Sequence, residues 1–164
     1  MSEHDDRSRL IGILRSAYSG ELAAGLAYRG HWKSLADRHE RAAVARIERE
    51  EWTHRSAVGT LLRGLGAKPQ TLRDVLMTVI GTSVAVSCHL GNRILPMYFA
   101  GRLEHSNIAE YEHAAACARQ LQLPDYERAL LEMAEVERSH EEFFRRTVAP
   151  HPWLPLLRRL FRWG

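Results

Sequence analysis

Four segments of the chain repeat apolar residues every three or four positions, and each carries a glutamate in the middle of its apolar stripe. This spacing predicts four amphipathic helices that pack through their apolar faces. A buried carboxylate is costly unless something neutralises it, so four of them demand a shared partner in the core. Two of the glutamates are also followed three residues later by histidine. The six residues are Glu21, Glu51, His54, Glu104, Glu137 and His140.

Turn and capping residues divide the rest of the chain. Lys68-Pro69-Gln70 is a predicted turn, and Thr71 with Asp74 resembles a helix-starting cap. The fold class is therefore predicted to be all-α, a four-helix bundle with an apolar helical crossover and a short C-terminal amphipathic helix. The expected helices cover about residues 6–36, 38–64, 72–90 (the crossover), 94–121 and 125–148, within a bundle domain of residues 1–149 followed by a basic amphipathic tail of residues 150–164.

The six ionisable residues match a known ligand set. One Glu from each of two helices and a Glu-x-x-His from each of the other two bind two iron or two manganese ions in helix bundles. Residues three apart lie on the same side of a helix, so the Glu and His of one motif reach the same interior. The charge of two ferrous ions would balance four glutamates. We therefore expect two iron ions as the cofactor, with manganese as the alternative.

An internal repeat supports this interpretation. Tyr28 follows Glu21 by seven residues, and Tyr111 follows Glu104 by seven. The two single glutamates precede the two Glu-x-x-His motifs by 30 and 33 residues. The chain thus reads as two related helical pairs about a pseudo-twofold axis. Seven residues are close to two turns, so Tyr28 and Tyr111 are expected to hydrogen-bond ligand carboxylates and support the catalytic centre.

Other metal-ligand residue types are expected to lie outside the centre. Glu110 and His113 form a third Glu-x-x-His, but they lie off the stripe of Glu104 and are expected to face solvent. His89 is interpreted as a core residue of the crossover. The two cysteines are too few for a disulfide framework and are expected to be reduced core residues.

Two apolar segments suggest contact with a membrane surface. Residues 75–90 are the most apolar part of the chain but are too short for a typical span, so they are expected to lie on the bundle or dip into a membrane face. The tail combines aromatic and aliphatic residues with three arginines, which suits an anionic membrane; a tail packed on the bundle is the alternative. In the membrane orientation, Trp153, Leu154, Leu157, Leu160, Phe161 and Trp163 would face the acyl region and Arg158, Arg159 and Arg162 the phosphates.

The remaining sequence features narrow the partners and the compartment. The net charge is +3, and the chain contains no zinc-finger, RNA-binding or phosphate-loop motif, so nucleic acid is not an expected partner. The polar first nine residues predict no signal peptide. We therefore expect a cytoplasmic protein that associates peripherally with the cytoplasmic face of a membrane. A homo-oligomer is also possible.

The segment Ser19-Gly20-Glu21 to Tyr28 resembles the first-helix motif of the demethoxyubiquinone hydroxylase family. The resemblance continues through both Glu-x-x-His motifs and the Glu104–Tyr111 pair, and covers roughly residues 15–145. It implies a ferritin-like fold and a non-haem di-iron centre that uses O₂ to hydroxylate a quinone precursor, with Glu51 and Glu104, or another pair, bridging the irons. The chain departs from that family where Ser16-Ala17-Tyr18 replaces its usual Asp-His, and where Glu141 replaces a second His after His140.

The leading functional hypothesis is an O₂-dependent monooxygenase acting on a lipid quinone precursor. Its electrons would come from an external reductant, either a separate reductase or a nicotinamide nucleotide. One alternative is a ferritin-like protein that oxidises or stores iron. Another is a rubrerythrin-type peroxidase, or a hydroxylase of a non-lipid substrate such as a modified tRNA base.

Overall fold

The computed structural model describes residues 3–164, with side chains from residue 5 onward; the first two residues lie outside the described part. The described residues form helices and no strand, which confirms the predicted all-α fold. The helices are α1 (Glu3–Ser34), α2 (Arg38–Gly64), α3 (Thr71–Ser87), α4 (Ile94–Gln120), α5 (Pro124–Val148) and α6 (Leu154–Phe161).

The bundle consists of two antiparallel helix pairs. Short connections join α1 to α2 and α4 to α5, and α1 also packs against α4. Asp37 begins α2 by accepting hydrogen bonds from the backbone N–H groups of His39 and Glu40, both at 2.9 Å. At the other end of α2, Gly66 takes a positive φ of 65° that closes the turn. The two pairs are thus held side by side, with α3 as the connection between them.

The interior is layered along the bundle axis. One apolar cluster contains Leu14, Leu62 and Leu130, and a second contains Ile47, Met97 and Phe144. Along each of α1, α2, α4 and α5, the ionisable residues predicted from the sequence come between residues of the two clusters. All six are at most 5% exposed. The apolar layers therefore fold the bundle, and the polar layer between them is closed to solvent.

Helix α3 lies along α1, where small residues let the two backbones approach. A Cβ added to Gly81 would lie 2.5 Å from the carbonyl oxygen of Ala23, and one added to Gly30 would overlap Ala85. Asp74 is not the side-chain cap predicted for α3. It accepts hydrogen bonds from Ser19 Oγ at 2.6 Å and Arg55 at 2.9 Å, which pin the start of α3 to both neighbouring helices.

The outer face of α3 is apolar and exposed. Seven of its large apolar side chains between Leu72 and Val86 are 42% to 84% exposed, and Leu90 beyond the helix is 82% exposed. Within residues 3–164, no helix combines the length and apolarity needed to cross a bilayer. The predicted crossover packs along α1 at the surface of the bundle, and it ends at Ser87, earlier than residue 90.

The predicted membrane orientation of the tail is wrong for three residues. Leu154, Leu157 and Trp163 are at most 7% exposed and pack against the bundle. Tyr98 donates its O–H to the carbonyl oxygen of Trp163 at 2.6 Å, so the tail is held down at its end. Only the other apolar side chains of the tail, including Trp153 and Leu160, face solvent.

Candidate metal centre

The structure brings all six predicted ligands together as two overlapping groups. One group is Glu21, Glu51, His54 and Glu137; the other is Glu51, Glu104, Glu137 and His140. Within each group, one possible ligand atom from every residue lies within 4.8 Å of the others. Each group contains three carboxylates and one imidazole, a donor set suited to iron or manganese.

Glu51 and Glu137 belong to both groups, which makes them the residues placed to bridge two ions. The resemblance implied Glu51 and Glu104, or another pair, as bridges. The two shared residues are the glutamates of the two Glu-x-x-His motifs, so the grouping favours Glu51 and Glu137, one of the other pairs that the resemblance left open. Glu21 with His54 and Glu104 with His140 each belong to one group only.

The tyrosines connect the two halves of the bundle. Tyr28, on the helix of Glu21, donates its O–H to Glu104, and Tyr111, on the helix of Glu104, donates its O–H to Glu21. Asn107 also donates to Glu104 at 3.1 Å. The crossed pairing fixes Oε1 of each of these two carboxylates; Oε2 of Glu104 accepts from Asn107, whereas Oε2 of Glu21 has no partner among the described residues.

Both ligand histidines direct Nδ1 into the centre. His54 Nδ1 lies 2.8 Å from Glu137, and His140 Nδ1 lies 3.2 Å from Glu137 and 3.3 Å from Glu51. On the far side of its ring, His140 Nε2 is 2.8 Å from Glu50, which in turn accepts hydrogen bonds from Arg46. A carboxylate at Nε2 favours the tautomer that keeps Nδ1 free to bind a metal ion.

The polar layer contains buried oxygens without a hydrogen-bond partner among the described residues. They are Glu21 Oε2 and both carboxylate oxygens of Glu51. Unpaired buried carboxylate oxygens are costly, and those of Glu51 belong to a residue that both groups share. The residues therefore fit a pair of divalent cations, which would satisfy these oxygens and offset the facing negative charges.

The carboxylates of this layer have strongly perturbed pKa values. Burial, reinforced by the charge of Glu137, raises the pKa of Glu21 to about 7. Burial likewise raises the pKa of Glu51 and of Glu104 well above the usual range, with neighbouring glutamates adding to the shift. Burial opposes ionisation of Glu137 as well, but hydrogen bonds from His140 and His54 outweigh it and hold its pKa at about 2. Without metal, the layer thus keeps protons that ligation must displace.

Several histidines and acids outside the centre differ from expectation. His113 is exposed as predicted, whereas Glu110 is partly buried, with a pKa raised by burial, rather than facing solvent. His89, interpreted as a core residue, is exposed. Cys88 and Cys117 are buried and form no disulfide.

His31 is a buried residue that the sequence reasoning missed. Its ring stacks near Tyr28 and Phe144, and its Nε2 has no hydrogen-bond partner among the described residues. Burial lowers the pKa of His31 to about 4, so the imidazole is neutral at physiological pH. The sequence did indicate its burial, because His31 lies three residues after Tyr28 and therefore on the same side of α1.

We predict that the metal-free protein loses stability as pH rises from about 5.5 to about 7.5. Glu21, Glu51 and Glu104 have folded-state pKa values above the unfolded value, so their contribution is present below pH 4.5 and is lost as pH rises through the folded pKa. The lowered pKa of His31 makes its contribution to stability rise with pH, but it is one group against three glutamates. Over this rise in pH, the titration of Glu21 alone should lower the free energy of unfolding by on the order of 2 kcal/mol.

Urea denaturation at several pH values measures this dependence. The manganese-loaded protein is the control, because a metal ion replaces the protons and its stability should rise with pH. A free energy of unfolding that rises with pH in the metal-free protein would contradict the raised carboxylate pKa values.

A comparison with protein families found a match. A family model described as Ubiquinone biosynthesis protein COQ7 matches residues 8–106, a span that contains Glu21, Glu51, His54 and Glu104. No curated protein and no solved structure matches the chain. The matched span is more than half of the chain, and the chain belongs to the COQ7 family of ubiquinone biosynthesis proteins.

Proposed function

We propose that this protein is a non-haem di-iron monooxygenase that hydroxylates a lipid-soluble quinone precursor. The observation that carries the proposal is the pair of buried ligand groups sharing Glu51 and Glu137. Membership of a ubiquinone biosynthesis family supports a quinone precursor as the substrate class. In this reaction one oxygen atom of O₂ enters the substrate and the other becomes water, with two electrons supplied by an external reductant.

The residues of the centre would each hold a defined position around two iron ions. Glu21 and His54 would ligate one ion, Glu104 and His140 the other, and Glu51 with Glu137 both. The chemistry that bound iron supplies is the activation of O₂. Tyr28 and Tyr111 keep the terminal carboxylates oriented through their O–H groups, and Glu50 keeps Nδ1 of His140 directed inward.

Burial of the ligands supports an oxidation that must exclude water. Glu51, Glu104, Glu137 and His140 have no exposed surface, and Glu21 is 3% exposed. Apolar layers lie on both sides of the centre along the bundle. Such a site protects a reactive oxidant from quenching by solvent.

The surface of α3 supports a peripheral membrane location. Seven large apolar side chains of this helix are exposed, and α1 is the helix against which α3 packs extensively. An apolar surface of this extent favours burial in a lipid interface. A substrate with a polyprenyl chain would be delivered from the same phase.

We predict that the iron-loaded protein, given reductant and O₂, adds one oxygen atom to a quinone-precursor analogue. Mass spectrometry with ¹⁸O₂ should find the label in the product. Glu104→Ala should lower product formation by at least about a thousandfold, because it removes a ligand from one metal position, while the exposed His113→Ala should not change it.

Two outcomes would contradict this function. Iron oxidation with mineral deposition in a large shell, and no labelled product, would favour a ferritin-like storage protein. Rapid turnover of peroxide without substrate oxygenation would favour a rubrerythrin-type peroxidase.

We predict that α3, more than the tail, binds the membrane surface. Val79 is 59% exposed on α3, and Val79→Asp should lower liposome binding by about tenfold because it places a charge in the interface. Leu160→Asp tests the tail, and Leu131→Asp on α5 is the control for the added charge. Deletion of residues 150–164 is a poorer test, since it would uncover the side chains beneath Trp163.

Liposome flotation measures this binding. Unchanged flotation of Val79→Asp with loss in Leu160→Asp would move the contact to the tail. Absence of flotation for the unmodified protein would remove the argument for a lipid-embedded substrate.

A further inference from the structure

A cavity lies between α4, α5 and the tail, outside the metal centre. Its volume is about 510 Å³. Three arginines line it, together with one histidine, one carboxylate and one indole: Arg145, Arg158, Arg162, His105, Glu141 and Trp163. The volume lies in the range of small-molecule sites and exceeds that of a single inorganic anion.

The wall formed by the tail is fixed in place by specific contacts. Trp163 Nε1 donates to Glu141 at 2.9 Å, and the backbone N–H of Trp163 donates to Tyr98 at 3.1 Å. A Cβ on Gly101 would overlap the Trp163 ring, so glycine makes the slot that receives it. Arg162 has a φ of 58°, a left-handed conformation that turns the chain back and brings Trp163 into this slot.

The charges in the cavity favour an anion. Arg145 is neutralised by Glu141 at 2.6 Å. Among the residues whose side chains the structure describes, neither Arg158 nor Arg162 forms an ion pair. Two guanidinium groups without a carboxylate partner, facing one cavity, match the planar, two-pronged geometry with which arginine binds phosphate oxygens.

The position of Arg158 on α6 separates this cavity from the apolar surface of the tail. Leu156 and Leu160 are 57% and 60% exposed, and each lies two residues from Arg158, about 200° around the helix. The arginine therefore points away from the side that would meet acyl chains. This geometry favours a phosphate carried by a water-soluble molecule over the phosphate of a membrane lipid.

We propose that the cavity formed by α4, α5 and the tail binds a water-soluble organic phosphate through Arg158 and Arg162. The proposal requires neither the metal ions nor the hydroxylase reaction. Binding to the full-length, metal-loaded protein is measured by isothermal titration calorimetry. The probes are adenosine 5′-monophosphate, inorganic phosphate, and adenosine as the control without phosphate.

The expected result is binding of adenosine 5′-monophosphate and inorganic phosphate, with no binding of adenosine. Arg158→Gln should weaken binding by at least about tenfold, because it removes a charge-assisted hydrogen bond. Arg159→Gln is the matched control: it removes the same charge from the neighbouring position of α6, outside the cavity, and should bind like the unmodified protein. Both side chains are exposed, so neither substitution disturbs the core.

Three results would overturn the proposal. They are absence of phosphate binding at millimolar concentration, equal loss in Arg158→Gln and Arg159→Gln, and binding that Arg158→Gln leaves unchanged. A fourth arm uses vesicles of phosphatidylglycerol. Arg158-dependent binding to these vesicles, with no binding of the soluble phosphates, would replace the proposed ligand with a lipid headgroup.

Discussion

The mutual repulsion of four buried carboxylates is the constraint on which this structure depends. Glu21, Glu51, Glu104 and Glu137 face one another in a layer closed to solvent. Without metal, the layer reduces its charge by retaining protons on three glutamates and by pairing Glu137 with the histidines. Two divalent cations would remove the repulsion more completely, because they would also satisfy the unpaired oxygens of Glu51. The apolar layers above and below supply the fold that tolerates this arrangement.

The two halves of the chain are related in function as well as in sequence. Each half contributes two glutamates and one histidine to the layer, and each tyrosine donates its O–H to a glutamate of the opposite half. The symmetry is incomplete around the histidines. Glu50 precedes Glu51 and contacts His140, whereas Val136 occupies the corresponding position before Glu137. The two metal positions therefore differ in the support given to their imidazole ligands.

The sequence was sufficient to predict the helices and the six residues that meet in the core, since both follow from a helical period of apolar residues. It was insufficient for the contacts that depend on how the helices are positioned relative to one another along the bundle axis. The crossed tyrosine pairs, the sharing of Glu137 and the contact of Glu50 with His140 all arise between helices far apart in the chain. Glu50 lies beside the apolar stripe of α2, so the sequence alone predicts a solvent-exposed acid. Its contact with His140 depends on where α5 lies.

The tail shows a second limit of pattern reasoning. An amphipathic segment has an apolar face whether it meets lipid or protein, and the choice depends on what surface the bundle offers. Gly101 and Tyr98 form a slot that accepts Trp163, so part of the apolar face is used inside the protein. Glu141 accepts the indole N–H at the position where the related family often has a second histidine. The departure from the family pattern thus serves to anchor the tail.

The metal content of ligand variants tests the central claim most directly. Protein purified without oxygen and loaded with ferrous iron should contain two irons per chain, which Mössbauer spectroscopy would resolve as a diferrous centre. Glu51→Ala, which removes a shared ligand, and His140→Ala should lose most of this iron while helix content by circular dichroism stays nearly unchanged, and His113→Ala should keep both ions. Retention of two irons by Glu51→Ala or His140→Ala, or loss of iron from His113→Ala, would contradict the assignment of the centre.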